Sequence, residues 1–101
     1  MLSPAFVGEI LWDEFLRDSR RLARHVQAGL VARTGARDLG TQRHPSKRLR
    51  VLSDTPVPAA LIEVGHLTNG AEERRLRDGA YRQRIAEGIA DGLDRFHRGE
   101  P

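Results

Sequence analysis

The run Ala59-Ala60-Leu61-Ile62-Glu63-Val64 constrains this chain more than any other segment. Two prolines, Pro56 and Pro58, precede it and cannot serve a hydrogen-bonded ladder, and Gly65 follows it. A continuous apolar stretch of this length suits a strand covered on both faces. Glu63 is therefore an anomaly, because a carboxylate inside such a strand is costly unless it is paired, bound to a metal or put to use. Two readings stay open from the pattern alone. Glu63 is functional if it lies at the strand's carboxyl end, where Gly65 permits an exposing turn and where α/β sheets bind ligands. It is structural if it forms an ion pair, for example with an arginine of the first helix.

The neighbouring segments supply the remaining elements. Arg48-Leu49-Arg50-Val51-Leu52 alternates as a second short strand would. Six residues between two strands are too few for a parallel crossover, so the pair is antiparallel or sits apart in a larger sheet. Upstream, Leu11, Phe15, Ser19, Leu22, Val26 and Leu30 fall on one helical face, with Trp12, Leu16 and Ala23 beside them. Asp13, Glu14, Arg17, Arg20, Arg21 and Arg24 fall opposite and read as a solvated charge stripe. Ser3-Pro4 suits the start of this helix and Thr34-Gly35 its end. Asn69-Gly70-Ala71-Glu72 resembles a capping box opening a short helix through Leu76. Asp78 caps a last helix whose apolar stripe is Tyr81, Ile85, Ile89, Leu93 and Phe96. The expected organisation is a long amphipathic helix over 1–33, a basic loop over 34–47, two strands within 48–64 and two helices within 69–98. The fold class is α/β, but two strands make no independent sheet with a core, so the chain reads as the end of such a domain.

At 101 residues there is room for one domain. The absence of cysteine excludes a disulfide scaffold, a zinc ribbon and a thiol nucleophile. No apolar run reaches the roughly 18 residues of a membrane span. Met1-Leu2-Ser3-Pro4 lacks a basic leader, and Ala5–Leu11 is broken by Gly8 and Glu9, so no export signal is expected in this chain. The net charge of +3 is unevenly placed, with Arg33, Arg37, Arg43, Lys47, Arg48 and Arg50 facing only Asp38. Such a basic segment, 33–50, offers a surface to an anionic polymer. It holds no aromatic on which bases could stack, and nucleic acid is not an expected partner. A non-catalytic binding module using this segment is the alternative to an enzyme.

The segment Val57-Pro58-Ala59-Ala60-Leu61-Ile62-Glu63-Val64-Gly65-His66-Leu67-Thr68-Asn69, with Glu72 after it, resembles a signature of the zinc-dependent N-acetylmuramoyl-L-alanine amidases. Phe6–Leu11, Val51-Leu52 and Ile85–Ile89 resemble flanking parts of the same domain, so the likeness covers its C-terminal half. The implied fold is the C-terminal part of a three-layer sheet-and-helix hydrolase domain. The implied activity is cleavage of the amide joining N-acetylmuramic acid to the L-alanine of the peptidoglycan stem. By this resemblance Glu63 is catalytic, taking a proton from a zinc-bound water and passing it to the leaving amine. His66 stands where the family has Phe or Tyr; it lines the substrate groove, reaches the metal, or replaces one ring by another against the sheet edge. Asn69 is a second groove candidate. The zinc ligands, two His and a Glu, belong to the N-terminal half, and His25, His44, His66 and His97 show no ligand spacing. No zinc is therefore expected to bind this chain tightly by itself, and none of its residues is named as a ligand. The family's setting is extracytoplasmic, with peptidoglycan as partner, and uncovered sheet edges would favour self-association.

Overall fold

The computed structural model describes residues 10–12, 17–38, 40–43 and 57–101, with 10–12, 42 and 43 described by their backbone. Three short strands form one sheet in the order β2-β1-β3, where β1 is Ile10–Trp12, β2 is Thr41–Arg43 and β3 is Ala60–Ile62. The central strand pairs parallel to β2 (Leu11 opposite Gln42) and antiparallel to β3 (Leu11 opposite Leu61). Helix α1, Arg17–Thr34, makes the crossover between the two parallel strands.

This architecture corrects the expected helix over 1–33. Ile10–Trp12 is a strand, and α1 is described from Arg17. The helical spacing of Leu11 and Trp12 is real but is overridden by pairing, because a central strand satisfies its backbone on both sides and suits β-branched and aromatic residues. The basic loop over 34–47 likewise contains β2. The strand over 48–52, the start at Ser3-Pro4, and Phe15 and Leu16 lie outside the described residues.

Within α1 the expected face is the buried one: Ser19, Leu22, Ala23, Val26 and Leu30, joined by Gln27. The two polar members have partners. Ser19 Oγ accepts from the backbone N–H of Ala59 at 2.9 Å, which ties α1 to the entry of β3. Gln27 Nε2 donates to Asp38 Oδ1 at 3.0 Å, in the connection that leads to β2. The helix stops at Gly35, whose φ of +68° costs a glycine nothing and whose N–H donates to Val31 O at 2.9 Å.

Two further helices follow: α2, Gly70–Arg77, and α3, Gly79–His97. Asp78 separates them and caps α3, its Oδ1 accepting from Ala80 N–H at 2.9 Å. The core is made chiefly where α3 lies antiparallel to α1, and it gathers Leu22, Ala23, Val26, Leu30, Ala36, Tyr81 and Ile85. Ile62 and Val64 from the β3 strand and its exit, and Leu76 from α2, pack against its edge.

The contact between α1 and α3 runs through glycine. A methyl group on Gly92 would lie 2.5 Å from Val26 Cα, and one on Gly88 would lie 2.8 Å from both Leu30 Cα and Gly29 O. One on Gly29 would collide with the carbonyl of Gly88. The buried line of α3 is accordingly Tyr81, Ile85, Gly88 and Gly92. This corrects the stripe expected from the large apolar residues: Leu93 is turned outward and is 49% exposed, while Ile89 and Phe96 pack only at the margin. Glycine carries no hydropathy signal, so a pattern of large side chains points beside the true contact.

Polar clasps close both ends of this helix pair. Arg33 donates from Nε to Asp91 Oδ2 at 2.7 Å and from Nη1 to Glu87 Oε2 at 3.1 Å. Arg33 stays exposed while ion-paired to these two acids of α3. At the other end Arg21 Nη1 donates to Phe96 O at 3.2 Å and Glu100 O at 2.8 Å, with its guanidinium 4.1 Å from the Phe96 ring centre. His25 Nε2 donates to Glu100 O at 2.9 Å, so this imidazole is half-buried and engaged and not simply solvated as its place on the polar face suggests.

Two outcomes follow. Alanine raises intrinsic helix propensity over glycine by about 1 kcal/mol, yet Gly92→Ala should destabilise the protein by roughly 1–3 kcal/mol through overpacking. Leu93→Ala, on the exposed side, should cost less than about 1 kcal/mol; denaturant unfolding compares them. The hydrogen bond from Arg33, aided by its charge, holds the Asp91 carboxyl below the usual aspartate range. A lowered carboxylate stabilises the fold above its unfolded value, near pH 4, and that part is lost as pH falls through the lower folded value. Asp91→Asn should therefore flatten the acid limb of the unfolding midpoint against pH.

Candidate active site

Glu63 follows the last residue of β3 and its side chain is exposed. Strand alternation explains the placement: Ile62 and Val64 on either side pack against the core, which directs residue 63 away from it. The exposure removes the desolvation cost that made Glu63 anomalous in a buried strand. The rival ion pair with an arginine of α1 is not formed among the described residues. Glu63 stands at the carboxyl end of its own strand, as expected, but not at the carboxyl edge of the parallel pair. β3 runs antiparallel to β1, with Ile62 opposite Ile10, so Glu63 emerges beside the amino ends of the parallel strands. The carboxyl-edge rule for parallel sheets does not account for its position.

The connection from Glu63 to α2 is tightly specified. Gly65 has φ +153°, and a methyl group there would stand 3.3 Å from Leu76 Cδ1 and 3.4 Å from Glu72 Oε1. Glu72, only 5% exposed, reaches back so that its Oε1 accepts from the backbone N–H of His66 at 2.7 Å. The backbone N–H of Asn69 donates to His66 O at 3.1 Å. Asn69 caps α2, its Oδ1 accepting from Ala71 N–H at 3.0 Å and Glu72 N–H at 3.2 Å. The capping box expected at Asn69–Glu72 is thus half reciprocal. Asn69 caps as anticipated, but the Glu72 carboxylate fastens His66 in place of the cap residue's own N–H. An anionic group in the first turn of a helix is favoured by the helix dipole as well.

Glu63, His66 and Asn69 therefore share one short clamped connection. Glu63 and His66 both present their side chains to solvent. The Asn69 oxygen is committed to the cap, so this residue shapes the connection. Glu72, which the sequence pattern marks only as a helix-opening acid, is the residue that fixes the backbone beside Glu63. Of the other histidines, His25 is held by Glu100 O, His97 is exposed at the end of α3, and His44 lies outside the described residues. Among the described residues no three His, Asp or Glu side chains come together as a metal site. These residues do not fit a resident zinc ion by themselves.

Comparison with known proteins places the chain in a class. The family described as N-acetylmuramoyl-L-alanine amidase matches residues 8–95. The chain belongs to that family. It is 30% identical over 81 residues to the N-acetylmuramoyl-L-alanine amidase LytC of Bacillus subtilis, a match covering 80% of this chain and 16% of LytC. It is 43% identical over 60 residues to the probable amidase AmiB of Haemophilus influenzae, covering 59% of this chain and 13% of AmiB. Among solved structures, an N-acetylmuramoyl-L-alanine amidase from Clostridium difficile 630 superposes with a TM-score of 0.83 at 30% identity, over 93% of this chain and 50% of that one. The catalytic domain of CwlV from Paenibacillus polymyxa gives 0.77 at 31% identity, over 90% of this chain and 48% of that one. The chain thus spans about half of these solved chains and a smaller part of the two relatives in sequence.

Removal of the Glu72 carboxylate should loosen this site first. Glu72→Ala leaves the His66 N–H without its partner, at a cost of about 1–3 kcal/mol. Amide hydrogen exchange at His66 should accelerate more than exchange within α1 or α3.

Proposed function

We propose that this chain is the C-terminal part of a zinc-dependent amidase domain that cuts the bond between N-acetylmuramic acid and the L-alanine of the peptidoglycan stem. The observation that carries the reading is the exposed Glu63 on its clamped connection, within a chain belonging to the amidase family. Coverage of about half of two solved amidase chains supports placement as one half of a three-layer sheet-and-helix domain. The amidase relatives LytC and AmiB support an extracytoplasmic site of action. Among the described residues no helix is long and apolar enough to cross a membrane.

The chemistry assigned to Glu63 follows from the bond. An amide nitrogen leaves poorly unless it is protonated, and the attacking water must lose a proton. One exposed carboxylate near the scissile carbonyl meets both needs: it accepts the proton from water and then delivers it to nitrogen. The Glu72–His66 hydrogen bond and the Asn69 cap hold the backbone beside this carboxylate, which limits the geometries it samples. His66 lines the groove on the same connection. When bound to the whole domain, zinc supplies polarisation of the carbonyl and a more acidic water. By the resemblance to the family, its ligands belong to the N-terminal half of the domain.

Two constructions test this reading. The 101-residue chain with added zinc should release no stem peptide from purified peptidoglycan; release that depends on Glu63 would overturn the fragment assignment. Fusion to the corresponding N-terminal half of the Clostridium difficile amidase should give muramoyl-L-alanine cleavage, which Glu63→Gln should lower by at least about 100-fold. A fusion indifferent to Glu63→Gln would remove Glu63 from the chemistry.

A further inference from the structure

We infer that Arg17, Arg20 and Arg24 on α1 form a docking row for an anionic phosphodiester polymer of the cell envelope; the choice of compartment rests on the amidase reading above. At about 100° per residue these three positions fall within an arc of about 60°, and they span about 10 Å along the helix. All three side chains are exposed. None of them makes an ion pair or hydrogen bond among the described residues, whereas the nearby Arg21 and Arg33 are both engaged. Among the described residues the row has no stabilising partner inside the fold. Arg17 with Arg20, Arg17 with Arg21, and Arg20 with Arg24 are like charges at helix-neighbour spacing and repel one another.

The identity of the partner follows from the chemistry of this face. Three guanidinium forks match phosphate oxygens bidentately and remain charged at any working pH. They stand on an open ridge, not in a cavity, so a single small anion would meet one at a time. A repeating polyanion engages all three after one ordering cost. Single-stranded nucleic acid is the weaker match, because α1 carries no Phe, Tyr or Trp on which bases could stack, and duplex DNA is disfavoured by the extracytoplasmic setting of the amidase reading. A bilayer surface is also weaker, since Ala28 and Ala32 are the exposed apolar residues farther along α1, and neither is large enough to insert. The placement leaves the candidate active site free. Ser19, between Arg17 and Arg20, is bonded to Ala59 at the entry of β3, while Glu63 stands at its exit, about 13 Å along an extended chain. A polymer held by the row would tether the protein to the wall at the end of the sheet opposite Glu63.

The test is titration of the purified chain with soluble poly(glycerol phosphate) across a salt series. With three phosphates neutralised, the logarithm of affinity should fall with a slope of about −2 against the logarithm of salt, or about twentyfold from 50 to 200 mM. The triple substitution R17Q/R20Q/R24Q should weaken binding at 50 mM salt at least tenfold and flatten that slope. R37Q/R74Q/R84Q removes the same charge from dispersed exposed sites and should retain most of the affinity. Circular dichroism should show both variants folded, with α1 no less stable once its repulsion is relieved. Equal loss in the two variants would reduce the effect to net charge and overturn the row. Tighter row-dependent binding of duplex DNA or of phosphatidylglycerol vesicles would overturn the choice of partner. No measurable binding of the polymer would overturn the proposal outright. Glu63→Gln should leave this affinity unchanged, so a fusion that lacks amidase activity yet binds through the row would count against the amidase reading alone.

Discussion

The fold depends on the close approach of α1 and α3 at Gly29, Gly88 and Gly92. Without side chains at these positions, backbone meets backbone, and Val26 and Leu30 lie against α3 with no room for one more carbon. The attraction there is dispersion gathered over many short contacts and the apolar surface removed from water on either side. Its range is short, so a small separation of the helices forfeits much of it. The clasps at the two ends, Arg33 on Asp91 and Glu87, and Arg21 with His25 on the Glu100 carbonyl, form in the registration that the glycines allow.

The candidate site is suspended from this pair. α1 holds the sheet through Ser19 and the residue entering β3, and the core contacts of Ile62 and Val64 set the strand's exit. Glu63 is turned outward because its two neighbours are turned inward. Beyond it, the chain is tied by a carboxylate reaching back from α2 to a backbone N–H. Glu72 is largely withdrawn from solvent and spends its charge on holding geometry, while Glu63 is exposed. Two carboxylates nine residues apart therefore stand in opposite environments.

Much of this was legible in the residues. Gly35 as a helix stop, Asn69 and Asp78 as caps, and the inward face from Ser19 to Leu30 follow from local stereochemistry and a 3.6-residue period, both written in consecutive side chains. The Glu63 segment was legible through its resemblance to the amidases and its interruption of an apolar run. The outward turn of Leu93 was not legible, because the period of large apolar residues runs beside the line of small ones. Nor was the strand at Ile10–Trp12, whose spacing fits a helix until two partner strands compete for its backbone.

The amino-acid sequence by itself determined where α1 ends and where α2 and α3 begin, which face of α1 turns inward, and that a carboxylate interrupts an apolar run in an amidase-like setting. Those features depend on neighbours a few bonds away. The tertiary structure alone decided that Ile10–Trp12 is the middle of a sheet, that glycines and not leucines make the principal helix contact, and that Glu72 fastens the backbone beside Glu63. Each of these joins groups whose meeting requires the whole chain to be in place: backbone pairing with distant strands, the steric fit of two helices far apart in sequence, and a buried carboxylate that must find a donor once water has left.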